Sequence, residues 1–247
     1  MLLAYKYVAL AVLIAEANFN AERLDLPIPR PIKEEQLTFK LIAPTNILNL
    51  GFMGSIRTPQ YMFSEGGDRR YRLLAKLDQE GYTELSGAVY NKILEHEKSL
   101  INTNQAYQLA TNWLARIDVD VTALEKTNRW EVRQRWFYGE QGEQILLPVF
   151  FVKWGDWKEP TVVVNIDGRT KQFIEILQND DSFSRRSPVL IKDLDQLLAI
   201  PDEEFLKYSS LEKSNLVARF AVNWPVSPVA ANTNQSSVTP TNLPATP

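Results

Sequence analysis

The dipeptide Asp167-Gly168 stands between two runs, 161–167 and 169–178, whose apolar residues are mainly Val, Ile and Phe, and nothing else in the chain constrains the fold as much. An Asp-Gly pair between such runs predicts a tight antiparallel hairpin, because short hairpin turns need residues that tolerate positive φ. Two further strand-like runs, 129–138 and 145–154, lie directly upstream. Together the four predict an antiparallel meander.

The residues just before the meander have a different period. Ala106, Leu109, Ala110, Trp113, Leu114 and Ile117 fall three and four apart, leaving Gln105, Gln108, Asn112 and Arg116 to water. This is the pattern of a helix with one face on a core. Asn102 or Thr103 caps it, with Gln105 placed to reach back. Asp118-Val119-Asp120 ends it, and Asp120 caps a further short turn through Val121 and Leu124. The expected fold class is therefore α+β, an amphipathic helix packed on an antiparallel sheet, with an N-terminal strand-rich portion and C-terminal helices.

Strands are expected at 54–58, 61–64 and 69–77; in the last, Tyr71, Leu73, Ala75 and Leu77 alternate with Arg70, Arg72, Leu74 and Lys76. Periodicity does not say whether the two strand groups form one sheet or two. Ser86 caps an expected helix over 87–101 that sets Val89, Ile93, His96 and Leu100 on one face. Helices are also expected at 191–199 and 202–222, the second restarting at Ser209, three residues before Glu212. Residues 223–247 carry no charge and turn to Pro, Thr, Asn, Ser and Ala, the composition of a disordered tail. The expected division is thus 1–17, 18–101, 102–182, 183–222 and 223–247.

The start of the chain has its own logic. Lys6, the apolar run 7–15 and Ala15-Glu16-Ala17 fit a signal peptide cleaved after Ala17, and so an exported protein. The alternative is a buried first element of a cytoplasmic fold. The run is too short for a membrane span, which needs about 20 residues. Leu26-Pro27-Ile28-Pro29-Arg30-Pro31 then imposes an extended strap or tether.

Composition narrows the chemistry. The 247 residues include no cysteine and one histidine, His96, with a net charge of -3. Thiol chemistry, cysteine metal sites and a strong field for nucleic acid are thereby removed. Glu95-His96-Glu97 lacks a second histidine at helical spacing, and Asp118-x-Asp120-x-Thr122 with Glu125 lacks the glycine of a calcium loop. No cofactor, metal or catalytic residue is expected. Arg133 and Arg135 interleave with Trp130 and Trp136, but on a strand the two sets face opposite ways. That predicts a wet charged face over an aromatic core, without a nucleic-acid partner. Trp154 and Trp157 flank Gly155-Asp156 in an expected loop, which makes Trp154, Asp156 and Trp157 the candidate contact site for a protein or glycan partner. The competing reading folds one of these rings back to close the end of the sheet.

The order over 102–178 resembles the PepSY-like domains of exported bacterial proteins, on Ala106, Leu109, Ala110, Trp113 and Leu114 of the helix and on the hairpin at 163–170. The resemblance implies a small non-catalytic module that binds or restrains peptidases and other envelope proteins. The functional expectation is accordingly an exported, non-enzymatic binding or scaffolding protein. The alternatives are a carbohydrate-binding module built on Trp154 and Trp157, and a hydrolase using carboxylates brought together only in the fold.

Overall fold

A computed structural model describes residues 2–44, 52–66, 71–77, 94–156, 158–187 and 189–224, and in it two helix-plus-meander units share one sheet. The first unit is helix α1 (Leu3–Arg23) followed by β1 (Phe39–Pro44), β2 (Phe52–Arg57), β3 (Tyr61–Gly66) and β4 (Tyr71–Lys76). The second is α2 (Thr103–Arg116), the short α3 (Val121–Thr127), then β5 (Trp130–Tyr138), β6 (Gln144–Gly155), β7 (Pro160–Asp167) and β8 (Gln172–Gln178). The strands form a single antiparallel sheet in the order β1-β2-β3-β4-β8-β7-β6-β5. The two meanders therefore meet at a central seam, where Leu73 lies opposite Leu177 and Leu74 opposite Ile176. Each helix lies against the first three strands of its own meander.

Local chemistry sets the ends of these elements. Asn102 caps α2 by accepting from the Gln105 N–H at 3.0 Å, while the Gln105 side chain accepts from the Asn102 N–H. Asp118, at φ +62°, breaks the helix, and Asp120 caps α3 through the Ala123 N–H at 3.0 Å. The hairpin after β7 differs from the tight turn expected. Lys171, not Gly168, takes the positive φ of +58°, and four residues span the turn. Glycine at 168 answers a different need: a Cβ there would lie 2.4 Å from Ser99 Oγ and 2.9 Å from Phe150 Cε2.

One face of the sheet carries the main core. Ile56, Phe63, Leu74, Ile176, Val164 and Val152, from neighbouring strands, meet Leu13 and Ala17 of α1 and Ala106, Ala110, Trp113 and Leu114 of α2. A second core forms where Ala4, Tyr5, Val8, Ala9 and Val12 of α1 meet the C-terminal helices. These are α4 (Leu194–Leu198), α5 (Asp202–Phe205) and α6 (Ser210–Phe220), which bring in Leu197, Phe205, Leu216, Val217 and Phe220. Helix α1 is thus shared between two cores, and the segment 1–17 contributes to the interior of the folded chain. Among the described residues no helix is long and apolar enough to cross a membrane.

Several expectations are corrected. Leu190–Ile191 forms a strand, β9, paired with β10 (Ala221–Val222), so the helix expected from 191 starts only at Leu194. The restart expected at Ser209 is present with its Glu212 capping box, but α6 ends at Phe220, and Ala221–Val222 is strand where helix was expected. The proline-rich stretch is a strap: Leu26, Ile28 and Ile32 are buried, and Asn18 holds both the N–H and the carbonyl of Ile32. Most of the helix expected over 87–101 lies outside the described residues; His96 and Leu100 are exposed and share no buried face. Of the expected tail, Trp224 packs against the second core and 225–247 lie outside the described residues.

Candidate functional site

Trp154 is fully buried in β6. Its Nε1–H reaches Glu125 Oε1 of α3 at 3.4 Å, and the same oxygen accepts from the Tyr107 hydroxyl of α2. Burial, helped by that hydrogen bond, pushes the Tyr107 phenol up to about 12. Tyr107 in turn stacks on Trp130 at 4.4 Å. The ring expected at the surface therefore closes the end of the sheet under the helices. Asp156 is exposed and accepts from the Lys158 N–H at 2.8 Å, an ordinary turn contact. Trp157 lies outside the described residues. The loop trio is not assembled into a surface by anything described.

The exposed rings are elsewhere. Among the described residues strand β5 pairs only with β6, so it forms one edge of the sheet. Along it Trp130, Trp136 and Tyr138 remain 47%, 47% and 68% exposed, and Leu146, opposite Trp136 on β6, is 54% exposed. Trp136 and Tyr138 meet edge to face at 5.0 Å and 75°. Sequence alternation put these rings on the helix side of the sheet, where the structure also has them. Trp136 and Tyr138 stay uncovered because the 14 residues of α2 are about 21 Å long. The 12 residues of β6 are about 40 Å long, and the far end of the β5–β6 hairpin outruns the helix. On the opposite face Arg133 is exposed as expected, but Lys153 is buried there and pairs with Glu131 at 3.0 Å.

No protein-family model, curated protein or solved structure matches this chain.

A second constellation lies inside, between α1 and the central strands. Glu16 accepts from Arg186 Nη1 and Nη2 at 2.9 and 2.7 Å and from the Val189 N–H at 2.9 Å. This saturates its carboxylate and ties α1 to the segment after β8. Beside it Glu65 of β3 accepts from Arg72 Nε of β4 at 3.3 Å, across the register pair Glu65–Arg72. Arg72 Nη1 reaches Ser184 Oγ at 3.4 Å. Burial, reinforced by the Glu16 charge, pushes the Glu65 carboxyl up to about 8 against the pull of Arg72 and Arg186. Among the described residues no group of three acidic or histidine side chains is placed to hold a metal. Sequence reasoning missed this cluster. Its one signal was Glu65 at a position alternating with Tyr61 and Phe63; Arg72 alternates with Arg70 and Lys76 and so read as a solvent-facing residue.

Proposed function

We propose that the chain is a non-enzymatic binding or scaffolding protein that takes an extended segment of a protein partner alongside β5. The observation that carries this reading is an edge strand of nine residues, Trp130–Tyr138, flanked on one face by exposed Trp136, Tyr138 and Leu146. An open edge offers backbone donors and acceptors to an added strand, and pockets beside it select alternate side chains. Rigid aromatic rings supply most of the binding energy at such contacts. A PepSY-like, non-catalytic role is compatible with this mode, because neither needs a nucleophile or a metal. The glycan alternative has less support, since rings 75° apart offer no flat platform to a sugar face. Export is a separate proposal that rests on the sequence of the first 17 residues, and it requires that α1 stay uncleaved, since Tyr5, Val8 and Val12 belong to the second core.

The test places a photo-crosslinking phenylalanine analogue at position 136 and maps the partner peptide that it captures. Capture of one recurring segment with alternating apolar residues is expected, lost on Tyr138→Lys and unaffected by Asp156→Ala, with circular dichroism unchanged in both. Capture that ignores Tyr138→Lys would move the site away from this hairpin.

A further inference from the structure

The buried cluster around Glu65 encloses space. Glu16 and Asn20 of α1, Ser64 and Glu65 of β3, Arg72 of β4 and Gln178 of β8 line a cavity of about 40 Å³ whose other walls are apolar. A cavity needs about 10 to 15 Å³ on this measure to admit one water-sized guest, so there is room for a small ion. Among the described residues, two buried polar atoms of its lining have no partner: Glu65 Oε2 and Arg72 Nη2. Glu65 is only 6% exposed, so its free oxygen is not answered by bulk water. Buried polar atoms without partners are uncommon and mark an unfilled role.

Charge accounting says what would fill it. Glu16 and Arg186 satisfy one another. Arg72 has Glu65 as its counter-charge only while Glu65 is ionised. A protonated Glu65 leaves a guanidinium inside the protein without an anion, an expensive arrangement. It also turns Oε2 into a donor, so that both unpartnered atoms offer hydrogens. Two donors and an uncompensated positive charge call for an acceptor of charge -1. We propose that this cavity binds one small monovalent anion, of the size of chloride, against Arg72 Nη2 and the carboxyl of Glu65.

Proton and anion then enter together, and the anion leaves when Glu65 ionises and replaces it beside Arg72. The charged groups that face Glu65 are Glu16 from α1, Arg72 from β4 and Arg186 from the segment after β8. Of these only Glu16 opposes the anion, and its own oxygens are occupied by Arg186 and the Val189 N–H.

The experiment measures unfolding midpoints of the full chain in sodium chloride against sodium gluconate at equal ionic strength, at pH 6.5 and pH 9.5. Saturable stabilisation by chloride is expected at pH 6.5, with apparent affinity at least tenfold weaker at pH 9.5. Glu65→Gln should bind chloride equally at both pH values, and Arg72→Gln should lose the chloride response. Crystals soaked in bromide should show one anomalous peak in the cavity. Equal midpoints in chloride and gluconate at pH 6.5, or a bromide-free cavity filled by water, would overturn the proposal. Should Arg72→Gln fail to fold, the pH response of Glu65→Gln and the bromide peak still decide it.

Discussion

Trp154 and Asp156 stand two residues apart and answer to opposite physics. Replacing the fully buried Trp154 by Ala removes a ring packed under α2 and α3 and should cost about 3 to 5 kcal/mol in denaturant unfolding. Asp156→Ala, at an exposed turn, should shift stability by no more than about 0.5 kcal/mol. Glu65 adds a pH dependence with a definite sign. Its folded carboxyl titrates near 8 against an ordinary value of 4.5, so between those values the folded state holds a proton that the unfolded state has released. Stability should therefore fall as pH rises from about 4.5 to about 8 and level off above. In urea titrations without chloride, Glu65→Gln should remove that slope. A slope that survives the substitution would assign it to another group.

Helix α1 shows where sequence stops being informative about an element. Its apolar run reads equally as a signal peptide and as a buried helix, because both require uninterrupted apolar residues and differ only in what surrounds them. What surrounds it is supplied by residues 189–220, which no local pattern connects to residue 8. Deleting residues 1–17 removes Tyr5, Val8, Ala9, Val12 and Glu16, and the shortened chain should lack dispersed amide resonances in an NMR spectrum. A well-dispersed spectrum would show that the second core closes without the helix. Elements with a local signal were legible: α2 with its cap, the α2–α3 break at Asp118, and the four strands of the second meander. The hairpin after β7 was legible in place but not in kind, since Gly168 is fixed by Ser99 and Phe150 from distant parts of the chain. Gly168→Ala should accordingly cost about 1 to 3 kcal/mol through overpacking, despite a backbone conformation that alanine tolerates. An unchanged urea midpoint would mean that Ser99 moves aside freely. The aromatic site was half legible: alternation chose the face, but only the lengths of helix and strand decide which rings are covered.

Across the whole molecule, two units of the same order are joined edge to edge, and the main core runs through both without a break. The main core belongs to neither unit alone, although Leu147, Val149 and Ile174 of the second unit form a small cluster with Leu94 on the other face of the sheet. Unfolding should thus be a single transition, with tryptophan fluorescence and far-ultraviolet circular dichroism giving coincident curves in urea. Separate midpoints would show that the seam between β4 and β8 yields first. The fixing of α1 by the far end of the chain has a further consequence during synthesis. The Leu3 N–H donates to Asp202 Oδ1 at 2.8 Å, and Tyr5, Val8 and Val12 meet Phe220 and its neighbours, so α1 is completed by residues that start 199 positions further along the chain. At about 5 to 20 residues per second, an emerging α1 waits roughly 10 to 40 s on the ribosome for its final partners. Throughout that interval an apolar helix is displayed to whatever factors scan nascent chains, and its fate in the cell is decided by which arrives first, those factors or its own C-terminal helices.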